Sequence, residues 1–155
     1  MKTLALILTL AATPLLAQGV PGQHFVENWD LNGDGAVSLE EATERRGDVF
    51  TSFDQNEDGA LDAEEYVVFD EARALDMQNE GAGHGGGNMQ NAAEGMELAM
   101  NDVDGDGKVT REEFISQAAV WIANMDLNED GVITTEDFAM RRQMMGGQGK
   151  GKAKN

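Results

Sequence analysis

Acidic side chains recur along this chain at alternate positions, and each run ends in glycine. Asp30, Asn32 and Asp34 lead to Gly35; Asp54, Asn56 and Asp58 lead to Gly59. Asp102, Asp104 and Asp106 lead to Gly107; Asp126, Asn128 and Asp130 lead to Gly131. An acid closes each run: Glu41, Glu65, Glu113 and Asp137. Oxygens crowded at this spacing suit a hard divalent cation, which takes roughly 6–8 of them. Side chains at loop positions 1, 3 and 5 converge on one point. Position 7 (Ala36, Ala60, Lys108, Val132) offers its carbonyl, so its side chain is free. Position 9 (Ser38, Asp62, Thr110, Thr134) coordinates directly or through water. Position 12 closes the site with a bidentate carboxylate. Glycine at position 6 lets the chain turn sharply, because it reaches φ > 0 without a Cβ clash.

The four loops begin at residues 30, 54, 102 and 126, so each pair is 24 apart and the middle gap is 48. Position 8 is apolar throughout (Val37, Leu61, Val109, Ile133), which suits a short β-bridge between two loops. This register resembles the EF-hand family. The resemblance implies an all-α fold with four EF-hand loops in two closely spaced pairs. It also implies Ca²⁺ at up to four sites, held by the residues named above. Loops 2 and 3 carry four carboxylates each (Asp54, Asp58, Asp62, Glu65; Asp102, Asp104, Asp106, Glu113), while loops 1 and 4 carry three. Asp137 is one methylene shorter than Glu, so loop 4 is expected to bind Ca²⁺ more weakly or to tolerate Mg²⁺.

Helices must carry these loops. Phe25/Val26/Trp29, Val49/Phe50/Phe53 and Trp121/Ile122/Met125 form one apolar stripe before loops 1, 2 and 4. Loop 3 departs from this pattern, with polar Asn101 directly before Asp102. Only 12 residues separate loops 1 and 2 (42–53), and 12 separate loops 3 and 4 (114–125). Residues 114–125 contain neither Gly nor Pro and should form one helix, about 18 Å long. Loops at its two ends cannot lie side by side. The position-8 residues then need partners from the other half, Leu61 with Val109 and Val37 with Ile133, since unpaired backbone groups are costly. Gly47 leaves open a tight turn in the first half and two conventional pairs. The compressed spacing is similar to lanmodulin, a periplasmic lanthanide-binding EF-hand protein whose loops also pair across the molecule. Lanmodulin loops carry Pro at position 2 and Asp at position 9; here position 2 is Leu31, Gln55, Val103 and Leu127, and only Asp62 is Asp at position 9.

The rest of the chain sets the context. With 29 acidic and 11 basic residues the net charge is −18, which excludes nucleic-acid binding through phosphate neutralisation. Cysteine is absent, which rules out disulfides, thiol catalysis and Cys-ligated metals. No nucleophile–base constellation stands out, so no enzyme is expected. Residues 1–17 read as a cleaved signal peptide (cleavage extending to 19 at most), with an apolar run too short for a stable membrane anchor. The expected location is periplasmic or secreted. Residues 23–80 hold hands 1 and 2, with a long helix ending at 80. Residues 81–90 are a Gly-rich linker, 91–145 hold hands 3 and 4, and 146–155 are a disordered Gly/Lys tail. A helix from about Asn91 should lead into loop 3. The functional expectation is a calcium sensor or buffer that folds or rearranges on metal binding. Its partners are metal ions and an unidentified protein target. A lanthanide-binding protein, or a structural module stabilised by calcium, is the alternative.

Overall fold

The computed structural model describes residues 19–84 and 90–147. The expected signal peptide, residues 85–89 of the linker and residues 148–155 of the tail lie outside them. Each loop leads into a helix through a side-chain cap. Ser38 starts α2 (Leu39–Phe53) and Thr110 starts α6 (Arg111–Ser116), both with a full capping box that uses Glu41 and Glu113. Asp62 accepts from the Glu65 amide at 3.1 Å as α3 (Ala63–His84) begins. The remaining helices are α1 (Gln23–Trp29), α4 (Gln90–Glu94), α5 (Leu98–Asn101), α7 (Ala118–Met125) and α8 (Thr135–Gly147). The fold is all-α apart from two very short strands, β1 (Ala60–Leu61) and β2 (Val109–Thr110).

Loops pair across the two halves. β1 and β2 are antiparallel, with Leu61 opposite Val109 and Ala60 opposite Thr110. Val37 and Ile133 form an isolated antiparallel bridge and exchange N–H···O bonds of 2.8 and 2.9 Å. All four position-8 side chains are fully buried. The aromatic stripes interlock in the same sense. Phe25 meets Trp121 and Phe138 at centroid separations of 5.7 and 5.3 Å, Trp29 meets Trp121 at 4.4 Å, and Phe69 meets Phe114 at 5.9 Å. One core therefore draws on both halves. Met96 and Met125 belong to it, whereas Met100, Met144 and Met145 are exposed.

Four local expectations need correction. Gly47 does not break α2, which runs through it. It is instead a point of close approach: a Cβ there would meet the Arg111 guanidinium at 2.8 Å and Ile115 at 3.7 Å. The spacer between loops 3 and 4 is not one helix, because Gln117 (φ −75°, ψ −5°) separates α6 from α7. Arg46 explains the break, since its Nε donates to the Phe114 carbonyl at 2.6 Å and a side chain bonding into the helical ladder kinks it. The segment before loop 3 is two short helices, parted around Gly95. A Cβ on Gly95 would lie 2.1 Å from the Trp121 ring, whose Nε1 donates to Ala92 O at 3.0 Å. Last, α3 runs past residue 80 to His84, and α8 includes Gly146 and Gly147. A nucleated helix adds one hydrogen bond per residue, which carries it a turn into glycine-rich sequence.

Cross-pairing yields a direct test. A fragment of residues 19–84 retains Val37 and Leu61 but loses both bridge partners. It should unfold without cooperativity even in Ca²⁺, and adding a 90–147 fragment should restore a single sharp transition by circular dichroism. Cooperative unfolding of the first fragment alone would contradict the shared core.

Candidate metal centre

Each loop is wound around the oxygens of its own side chains. The position-1 carboxylate accepts from the amide of the position-6 glycine in every loop. Those contacts are Gly35 to Asp30 at 2.8 Å, Gly59 to Asp54 at 3.1 Å, Gly107 to Asp102 at 3.0 Å and Gly131 to Asp126 at 2.8 Å. Position 3 (Asn32, Asn56, Asp104, Asn128) accepts from the position-5 amide. Position 5 (Asp34, Asp58, Asp106, Asp130) accepts from the position-7 amide of Ala36, Ala60, Lys108 and Val132. These bonds require the left-handed backbone that the position-6 glycines adopt, with φ between 86° and 89°.

The closing carboxylate ties the loop's two ends. Glu41 accepts from the Leu31 and Asn32 amides through one oxygen and from Ser38 through the other. Glu65 does the same with Gln55, Asn56 and Asp62, and Glu113 with Val103, Asp104 and Thr110. Asp137 reaches Leu127 at 2.9 Å and Thr134 at 2.8 Å, and no bond joins it to Asn128. The shorter side chain thus gives up one amide and sits deeper, at 2% exposure.

The sequence motif agrees with this geometry. The pattern of the EF-hand family (EF hand) matches residues 29–41, 47–69, 100–116 and 118–145, just over half of the chain. The chain belongs to the EF-hand family. Its four EF-hand regions mark it as a calcium-binding protein. No curated protein matches it.

The four EF-hand loops differ in how their acids converge. In loop 3 one oxygen each from Asp102, Asp104 and Asp106 lies within 4.8 Å of the others. No other triplet of His, Asp or Glu comes this close among the described residues. Asn32, Asn56 and Asn128 hold position 3 elsewhere, so the carboxylate count at positions 1, 3 and 5 falls. Loop 2 matches loop 3 in total acids, but Asp62 serves as a helix cap. Lys108 of loop 3 approaches Asp58 of loop 2 at 3.9 Å, a cation aimed at the neighbouring loop's acids. The donor set is almost wholly oxygen, as a hard cation requires.

Hydrogen bonding holds two closing acids ionised. Glu41 lies below its ordinary value of 4.5, first through the Ser38 backbone N–H, then through the Ser38 hydroxyl and the Asn32 and Leu31 amides, against a partial opposing effect of burial. Glu113 is lowered in the same way, foremost by the Thr110 backbone N–H and then by its hydroxyl. Both acids also complete capping boxes, so one carboxylate serves the helix and the loop.

Two features escaped the sequence motif. Position 4 is also left-handed, as Gly33 and Gly105 in two loops but as Glu57 (φ 58°) and Glu129 (φ 61°) in the others. A side chain there costs roughly 1–2 kcal/mol. The alternation of Gly and Glu at position 4 was its visible sign. The second is Arg46, fully buried on α2 and in contact with both stems of loop 3. Only the odd Asn101 hinted at it.

The shared caps yield a prediction. Ser38→Ala and Thr110→Ala should each lower stability by about 1 kcal/mol, within roughly 0.5–2. Ser116→Ala, whose hydroxyl bonds only the Glu113 carbonyl on an exposed turn, should stay within about 0.5 kcal/mol. Urea unfolding of the three variants at saturating Ca²⁺ measures the difference.

Proposed function

We propose that this protein binds Ca²⁺ at its four loops and completes its fold as it does so, acting as a sensor or buffer in the periplasm or outside the cell. The observation that carries this reading is the cross-paired loop arrangement. Each loop has oxygens wound inward at positions 1, 3 and 5 and a closing acid on the first turn of the outgoing helix. Asp30, Asn32, Asp34 and Glu41 would hold the first ion. Asp54, Asn56, Asp58 and Glu65 would hold the second, and Asp102, Asp104, Asp106 and Glu113 the third. Asp126, Asn128, Asp130 and Asp137 would hold the fourth. The carbonyls of Ala36, Ala60, Lys108 and Val132, and Ser38, Asp62, Thr110 and Thr134 at position 9, complete the sets.

A bound cation supplies positive charge among acids that otherwise repel one another within a net charge of −18. The chain does the rest. Backbone amides fix the position-1, -3 and -5 oxygens in place. The closing acids tie the start of each loop to its outgoing helix. The β-bridges carry that order to the opposite half. A site that is organised only in the folded chain turns binding free energy into folding free energy. The loops account for their own acids as ion ligands, so this reading is of a binding protein.

A lanthanide-binding role is the second reading, favoured by the all-carboxylate triplet of loop 3, since a trivalent ion rewards negative charge. Asn at position 3 in the other loops favours Ca²⁺. Titration of the protein lacking residues 1–17 with Ca²⁺, Mg²⁺ and La³⁺, followed by circular dichroism, separates the two. Helicity and thermal midpoint should rise by millimolar Ca²⁺, the range of extracellular sites. Unchanged helicity and midpoint relative to chelator would sink the calcium reading. Folding at trace La³⁺ with indifference to Ca²⁺ would move the assignment to lanthanides. Among closing acids, Glu113→Gln should weaken Ca²⁺ binding most and Asp137→Asn least, read by calorimetry. The reverse order would overturn the ranking by acid convergence.

A further inference from the structure

A charged guanidinium lies in the core with no carboxylate to balance it. Arg46 is 0% exposed, and among the described residues no acid pairs with it. Its Nε donates to the Phe114 carbonyl at 2.6 Å, its Nη1 points at Met96 Sδ at 3.1 Å, and its Nη2 donates to Asn101 Oδ1. Its Cζ also stands over the Phe114 ring, 4.2 Å from the centroid. Burial pulls its pKa to about 10, against a smaller opposing effect of Tyr66, so it stays charged at neutral pH.

The partners are not arbitrary. Asn101 directly precedes Asp102, the first acid of loop 3, and Phe114 directly follows Glu113, the last. One side chain therefore grips both stems of the same loop. Asn101 is itself fully buried, and its Nδ2 donates to Glu97 O at 2.7 Å and to Gly95 O at 3.3 Å. The other three loops have apolar Trp29, Phe53 and Met125 at the same place, so none of them offers an amide acceptor there. Loop 3 is also the loop whose acids converge.

We propose that Arg46 is a positioning residue for loop 3, a two-armed staple across its stems that sets its Ca²⁺ affinity from outside the ligand set. The proposal rests on the reading that the loops bind Ca²⁺. A planar fork serves here because its separate N–H groups reach two acceptors in fixed directions, which an ammonium does not reproduce. Holding the stems at a fixed separation brings Asp102 and Glu113 together before an ion arrives. Outer partners of metal ligands commonly change affinity by about 10–100-fold. Loop 4 is the internal control, since the hydrogen bonds of Arg46 go to Phe114, Met96 and Asn101 and not to its stems, Met125 and Phe138.

The test is a Ca²⁺ titration of ¹⁵N-labelled full chain, following the amide signals of Gly107 and Gly131. Each amide donates to the first aspartate of its own loop. In Arg46→Lys the midpoint at Gly107 should rise by about tenfold or more, while that at Gly131 moves by less than about twofold. An unchanged Gly107 midpoint, or an equal rise at both glycines, overturns the staple. If Arg46→Lys does not fold, Arg46→Met/Asn101→Leu removes the charge and its acceptor together, a replacement buried pairs often tolerate. The same selective rise at Gly107 is then expected, and a uniform one refutes the proposal. A wild-type Gly107 signal that ignores Ca²⁺ would defeat the calcium reading itself, and this proposal with it.

Discussion

An antiparallel bridge needs two backbone segments side by side, and a helical spacer holds its two ends apart. α2 joins loops 1 and 2 without a turn, and α6 and α7 join loops 3 and 4 with only a bend at Gln117. The position-8 residues of neighbouring loops are thereby kept from each other. Their backbone groups must still be paired, because a buried amide or carbonyl without a partner costs about 1–3 kcal/mol. The loops of the opposite half offer segments of matching shape. Leu61 takes Val109, and Val37 takes Ile133. The common core, the interlocked Trp29 and Trp121, and the packing of α2 against α6 and α7 all follow from that exchange.

The same arrangement concentrates negative charge. Four acidic loops come together in pairs on a chain already at −18, with 11 Lys and Arg against 29 acids. Lys108 faces the acids of loop 2 from loop 3, an exposed pair worth at most about 1 kcal/mol. Arg46 is buried against the Phe114 ring and two acceptor oxygens, and among the described residues it forms no ion pair with an acid. Loop acids are instead held by backbone amides, which orient oxygens but leave most of their repulsion in place. A folded state built this way gains more from a cation than from any single contact within the chain. The hydrogen bonds define where oxygens stand, and the cation offsets what they cost one another.

Much of this was legible in the amino-acid sequence. The four loops, their glycines at position 6, the closing acids and the all-helical character follow from residue types at fixed spacing, since each rests on local geometry within a dozen residues. The exchange of loop partners was also legible, because it follows from the length of 12-residue spacers. The sequence could not decide what Gly47, Gly95 and Gln117 do. Gly47 permits a turn, yet the tertiary structure uses it as a contact surface for α6. Gly95 yields to the ring of Trp121, a residue distant in the chain. Gln117 is a sound helix former, and the bend beside it comes from a guanidinium donated by another helix. Asn101 was visible as an exception but had no meaning until Arg46 lay beside it. Local spacing determined the loops and helices, because their hydrogen bonds close within each segment. Packing between distant segments determined the breaks and the buried charge, because those depend on which side chain arrives from elsewhere.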